Sequence, residues 1–404
     1  MPQRSLRVLF VGGPMYDPLY ATLPAFERET GWSVEVAGTP PHPALNARID
    51  EEFGGGHADY DLISTHTKYA PAQRRWLSPL TEDLAQDELA AFDSRVLALA
   101  RIDGVLYGLP RNLDVKLLYY RRDLFEDKTE RARYRDHTGR ELTPASTWED
   151  LRAAAHHFAR GPDLYGFAFP GRDSGLFGHF FELQAMAGGR LLTEKFEPAF
   201  EDAAGRWALE LLTELYRGGA APPETPQWHY DEVAACFRDG RAAMTTDWPG
   251  GFYTYTDPSL SRVSEVFDLA LYPTGVAGRR VYGASHTFAI PARVRDRHAA
   301  VDLLRFLTSE DNQLLEARQG SLPTRPTVLA RVRSEAPSGS RTVRRWELLE
   351  ETVTAALFPP VYPRWPAIEE ALWKSVQGAL VGRLTVEEGL AEAAQQIRRV
   401  TGRE

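Results

Sequence analysis

The chain opens on an apolar run, Leu6-Arg-Val-Leu-Phe-Val11, that ends at Gly12-Gly13-Pro14. Leu19, Leu23 and Phe26 then recur at helical spacing as far as Glu29. Gly31 closes that predicted helix, Trp32 to Val36 reads as a second strand, and Tyr60-Asp-Leu-Ile63 as a third, after a long stretch bearing Pro and Gly. Strands alternating with helices predict an α/β fold on a largely parallel sheet.

Further on, the pattern predicts a helix over 87–100. It is followed by two extended pieces lying end to end, Val105 to Pro110 and Leu113 to Tyr120. A long strand with no helical return is an economical way to carry a chain from one domain to another. Ser146-Thr-Trp-Glu149 fits a capping box ahead of a helix over 148–159. Helices are predicted at 180–187 and 203–216 and strands at 242–246, 267–271 and 287–290. A helix then carries Val301, Leu304 and Leu307 on one face, while 220–228 and 334–340 read as exposed loops. Two helices close the chain, one with Ile368, Leu372, Val376 and Leu380 in a stripe, the other capped by Thr385 with Glu388.

A length of 404 residues favours two domains, each able to bury a core, and 43% hydrophobic residues excludes a disordered chain. The 47 basic and 56 acidic side chains leave a net charge of −9, which offers no basic field for a nucleic-acid partner. Cys236 is the sole cysteine, so no internal disulfide forms, and no Cys/His group has zinc-ligand spacing; neither metal nor cofactor is expected. No apolar run approaches the ~20 residues of a membrane-spanning helix, and the first residues lack the pattern of a signal peptide.

The common catalytic motifs are missing: no G-x-S-x-G, no Walker-type loop, no H-E-x-x-H, no G-x-G-x-x-G. Gly12-Gly13 either presents backbone amides to a ligand or makes a tight turn. What stands out is aromatics beside polar groups: Tyr16-Asp17, Phe177 with His179, Asp247-Trp248, and Tyr362 to Trp365. A sugar offers apolar C–H faces and a rim of hydroxyls, so its site needs flat aromatic platforms flanked by carboxylate, amide or guanidinium groups. Asp114 and Asp247 lie in or just after extended runs, where strand ends deliver side chains into clefts; the plainer reading of each is a solvated or ion-paired acid.

Six segments in order resemble the extracellular solute-binding proteins of family 1, the maltose-binding-like group that serves ABC importers. They are Tyr107-Gly-Leu-Pro-Arg-Asn-Leu-Asp-Val-Lys-Leu-Leu-Tyr-Tyr-Arg-Arg-Asp-Leu124, similar to the family's first interdomain crossing strand; Thr147-Trp-Glu-Asp-Leu151; Phe237-Arg-Asp-Gly-Arg-Ala-Ala-Met-Thr245; Tyr282-Gly-Ala-Ser-His-Thr-Phe-Ala-Ile290; the helix from Ala300 to Thr308 leading to Gln319-Gly-Ser-Leu-Pro-Thr-Arg325; and Trp365-Pro-Ala-Ile-Glu-Glu-Ala-Leu-Trp373 with the closing helix. The resemblance spans roughly Leu6 to Val400.

It implies an α/β, two-lobed periplasmic-binding-protein-like fold (type II), with a ligand cleft between lobes joined by crossing hinge strands. One lobe would hold 1–112 plus 285–330, the other 113–284 plus 331–404. Asp114 stands where the family often places a hinge-strand carboxylate, and Trp248 near the aromatic that follows the Ala-Ala-Met strand. Ser285 and His286 stand at the second crossing, and Arg364 and Trp365 ahead of the last helix pair. Ser64-Thr-His-Thr67 is polar where relatives often show an aromatic or an acid. The candidate ligand-binding set is Tyr16, Asp17, Thr65, His66, Asn112, Asp114, Phe177, Asp247, Trp248, Ser285, His286, Arg364 and Trp365.

The implied function is non-enzymatic: capture of a carbohydrate and delivery to the permease subunits of an ABC transporter, by a monomer. The implied location is extracytoplasmic, periplasmic or cell-surface, with the export signal absent from this sequence. Open alternatives are a sugar-active enzyme with a carboxylate pair, and a binding protein for a polyamine or, through Arg111, Arg172 and Arg364, a phosphorylated solute.

Overall fold

A computed structural model describes residues 4–13 and 15–402; Pro14 and the residues at Met1 to Gln3 that bear on the signal-peptide reading lie outside them. The strands of the two main sheets are, in chain order, β1 (Ser5–Leu9), β2 (Ser33–Gly38), β3 (Leu62–His66), β4 (Leu109–Pro110), β5 (Leu117–Arg121), β6 (Tyr165–Ala168), β7 (Ala242–Asp247), β8 (Phe267–Ala270) and β9 (His286–Ala289).

The chain divides into two compact units. Unit 1 comprises Met1–Asp114, Ala284–Ser338 and Pro359–Trp365; unit 2 comprises Val115–Gly283, Gly339–Phe358 and Pro366–Glu404. Asn112–Leu113 pairs with Leu322–Pro323 in unit 1, whereas β5 joins the sheet of unit 2, so the predicted long strand is interrupted at 114–116.

Unit 1 carries the sheet β2-β1-β3-β9-β4, with β1 parallel to both neighbours and β9 antiparallel to β3 and β4. Alternate residues of the first strand segment point to opposite faces, and both faces are covered. Leu6, Val8 and Phe10 join a core with Leu19, Phe26, Phe288 and, from the helix Arg297–Leu307, Leu304. Leu9 and Val11 join a second core with Leu45, Ile49 and Ile63. A parallel strand buried on both sides reads as a continuous apolar run, which is why Leu6 to Val11 is conspicuous in the sequence.

Unit 2 carries the sheet β8-β5-β7-β6, in which β5 runs antiparallel to β7 and β8 and β7 parallel to β6. Trp148, Phe167 and Tyr272 pack edge to face there, and the terminal helix Val386–Thr401 packs on Ala203–Arg217.

Several local expectations shift. The helix expected over 87–100 is two, Gln86–Ala90 and Ser94–Leu99, because Asp93 turns outward to cap the second by accepting the Arg95 N–H. The capping box before Trp148–Phe158 sits one residue later, on Thr147 and Asp150, since Ser-Thr-Trp-Glu-Asp fits the motif in two registers. The helix expected at 180–187 begins at Asp173; it is buried nearly all round, so no polar face marks its first turns. Lys128–Thr138, His42–Gly54 and Arg341–Val353 are helices that the pattern did not reveal, and Ser340, placed in an exposed loop, caps the last.

Candidate functional site

In unit 1 the expected residues gather at one sheet edge. β1 and β3 run parallel, so their C-terminal ends deliver Gly12, Gly13 and Thr65-His66 to the same side, and antiparallel β9 begins there with His286 directly opposite His66. Gly12 allows the chain to turn because a Cβ on it would fall 2.0 Å from the Thr39 carbonyl oxygen. Its N–H donates to Pro40 O and that of Gly13 to Asp17 Oδ1, at 3.0 and 3.2 Å, so these two amides close the turn.

Arg111, buried beneath this edge, organises it. Its Nε donates to Glu316 Oε1 (2.5 Å), Nη1 to the Tyr20 hydroxyl (2.7 Å) and Nη2 to the Tyr16 carbonyl (2.9 Å), with the Tyr16 ring over its guanidinium at 4.7 Å. Tyr16 in turn meets the His286 ring edge-on at 5.1 Å. The charge of Arg111 is matched by Glu316 inside the protein and is not left for a phosphate.

Asn112 is a positioning residue. Its Nδ2 donates to both oxygens of Asp114, each at 3.0 Å, and its Oδ1 accepts the His286 N–H at 3.0 Å. Burial pushes the Asp114 carboxyl up to about 7, against the pull of the Asn112 amide and Arg111. Ser285 Oγ donates to the Asn112 carbonyl at 2.7 Å, and Thr65 Oγ1 to Gln73 Oε1 at 2.5 Å, so these hydroxyls hold the backbone and the core. Burial lowers His286 to about 3 and His66 well below the ordinary imidazole value, so both rings are neutral donors and acceptors. Asp17 and Arg364 are exposed, and Trp365 is buried at the start of the helix Trp365–Leu380.

In unit 2, Asp247 ends β7 and Trp248 follows. Both oxygens of Asp247 are engaged, Oδ2 by the Tyr255 hydroxyl (2.5 Å) and Oδ1 by the Trp248 N–H (2.7 Å), and burial pushes its carboxyl up to about 6. Asp247 therefore orients Trp248. The half-buried Trp248 ring lies 5.3 Å from Tyr230 and 6.3 Å from Tyr282, with Lys116 Nζ 5.5 Å from its centroid. Lys116 is paired with Glu182 at 2.9 Å, and Glu182 also accepts from the Tyr272 hydroxyl and the Tyr282 N–H, each at 2.6 Å. Among the described residues the buried Tyr230 hydroxyl has no hydrogen-bond partner. Phe177 stacks on Phe181 at 5.6 Å within this aromatic group.

Lys116, Glu182, Tyr230 and Tyr282 escaped the sequence reading. No local motif marks them; Lys116 lies in the segment that resembles the family's crossing strand, but nothing in that pattern singles it out.

The family model for bacterial extracellular solute-binding proteins matches residues 21–340. A mannitol-binding protein of Pseudomonas aeruginosa is 26% identical over 373 residues, 85% of this chain and 80% of that protein. Maltose-bound MalE3 of T. maritima has a TM-score of 0.85 at 22% identity, covering 98% of this chain and 99% of that one. An ABC transporter solute-binding protein of Agrobacterium vitis S4, solved with D-mannitol, has a TM-score of 0.81 at 21% identity, covering 99% and 98%. The two structures share the two-lobed α/β fold with this chain. With the model matched over most of its length, the chain belongs to the bacterial extracellular solute-binding proteins.

Proposed function

We propose that this chain is the substrate-binding protein of an ABC importer, and that it captures a polyol or small carbohydrate. The observation that carries the reading is the pairing of a half-buried Trp248 ring with a buried Tyr230 hydroxyl that lacks a partner among the described residues. An apolar platform beside an unsatisfied hydroxyl suits the C–H face and hydroxyl rim of such a solute. In unit 1, Asp114 and two neutral imidazoles supply acceptors and donors of the same kind.

A neutral solute is favoured over a polyamine or a phosphate. The buried cations Arg111 and Lys116 already face Glu316 and Glu182, and burial biases Asp114 and Asp247 toward their uncharged forms. The mannitol-binding relative and the mannitol-bound and maltose-bound structures support the same solute class.

The reading makes function a population shift. The chain passes between the units at 114–115, 283–284, 338–339, 358–359 and 365–366, and these connections would act as the hinge. A solute favours whichever form it binds more tightly, by the difference in its affinity for the two. The protein would act outside the cytoplasmic membrane, as a monomer, handing the unaltered solute to a permease.

A thermal-shift screen against polyols, monosaccharides and oligosaccharides tests this: a solute at ~100 times its dissociation constant adds ~2.7 kcal/mol of stability. A shift confined to polyamines or sugar phosphates would overturn the choice of solute class.

A further inference from the structure

We propose that His42, His66 and His286 together bind one divalent transition-metal ion, zinc by preference, within unit 1. This goes beyond solute capture and does not depend on it. One nitrogen from each ring lies within 4.8 Å of one from each of the others, the single such group of three or more potential ligands among the described residues. The ring centroids are 4.7, 4.9 and 5.0 Å apart, with interplanar angles of 60°, 80° and 86°. Steeply inclined rings can aim nitrogens at a common point, where stacked rings cannot.

The fold makes this convergence. His66 and His286 are opposite one another in the antiparallel β3–β9 register, which brings side chains on one face within about 5 Å. His42 is the first residue of the helix His42–Gly54, which follows β2 in the same sheet. No local spacing such as H-x-x-x-H reveals the set, because its members are separated by 24 and 220 positions, from 42 to 66 and from 66 to 286.

The chemistry suits a borderline metal. Three imidazoles without a carboxylate favour zinc, copper or nickel over magnesium or calcium, and three protein ligands leave a fourth position for water or a solute oxygen. A metal ligand must be unprotonated, so binding is expected to release any proton the three rings carry. The buried His286 Nδ1 has no hydrogen-bond partner among the described residues. His66 Nδ1 accepts the Lys68 N–H at 3.1 Å, so ligation through that nitrogen exchanges a hydrogen bond for a metal bond. Zinc–nitrogen bonds of ~2.1 Å set tetrahedral nitrogens ~3.4 Å apart, so nitrogens within 4.8 Å of one another need to approach by no more than roughly 1.4 Å. Two cations face the group. Arg111 is matched by Glu316, and the Lys68 ammonium lies 5.2 Å from the Tyr69 ring; both work against a dication.

The test uses the full chain stripped with chelator, titrated calorimetrically with ZnCl2 and, in parallel, with CoCl2 followed by visible absorption. The expected result is one ion per chain and intense d–d bands of four-coordinate cobalt. In His42→Ala, whose partial exposure spares the fold, affinity falls by about 100-fold or more, and His286→Ala behaves alike. Absence of saturable binding to the wild-type chain, or unchanged affinity in His42→Ala, overturns the proposal. Solute titrations run in chelator separate this outcome from the fate of the solute-binding reading.

Discussion

Asn112 holds both carboxylate oxygens of Asp114 at 3.0 Å, two residues apart on the segment that ends the first stretch of unit 1. The carboxylate is thereby fixed in direction while burial raises its proton affinity to about 7. The folded state consequently holds a proton that the unfolded chain has lost, over the window from about 4 to about 7. Stability contributed by this group is greatest at low pH and declines as pH rises through that window. Asp114→Asn is expected to remove the decline and raise the melting temperature at pH 8. It also removes a charge-assisted acceptor, so solute affinity should fall about 10- to 150-fold, the range of ~1.5–3 kcal/mol. Melting curves from pH 5 to 8 and calorimetry at pH 8 check both halves.

Trp248→Ala is expected to weaken solute binding by ~1–3 kcal/mol, the scale of a lost aromatic contact, with Trp248→Phe intermediate. The half-buried ring makes the fold tolerant of the change. Equal affinities across the three proteins, measured by calorimetry, would remove Trp248 from the site.

Tyr230→Phe deletes a buried hydroxyl with no partner among the described residues. The solute-free protein should be as stable as the wild type or slightly more so, since a desolvated donor is lost, while the bound form loses ~0.5–1.5 kcal/mol. Denaturant titrations with and without solute separate the two effects.

Lys116 and Glu182 are both fully buried and paired at 2.9 Å. Lys116→Met should cost ~3–5 kcal/mol by stranding the carboxylate, and the double variant Lys116→Met with Glu182→Gln should recover part of it. A double variant no more stable than the single one would show that the Tyr272 and Tyr282 hydrogen bonds to Glu182 carry the stability.

The α/β architecture was legible because Leu6 to Val11 is apolar on both faces and Ile368 to Leu380 on one, the patterns expected of a covered parallel strand and a packed helix. The first turns of Asp173–Met186 were not, because a helix buried on all sides has no period to read. The capping boxes show the limit of local motifs: Thr385 with Glu388 lies where expected, while Ser-Thr-Trp-Glu-Asp placed the other one residue early. The site was legible in part. Asp114, Trp248 and His286 lie at strand ends or crossings that extended runs announce, whereas Glu182, Tyr230 and His42 reach their neighbours only through tertiary packing.

The central claim, reversible capture of a neutral polyol or sugar, is tested most directly by calorimetric titration of the full chain with the best solute from the screen, followed by chemical analysis of the solute recovered. We predict saturation at one solute per chain and recovery of the same compound unaltered. Failure of every polyol and sugar to saturate the protein, or recovery of a cleaved or converted product, would contradict it.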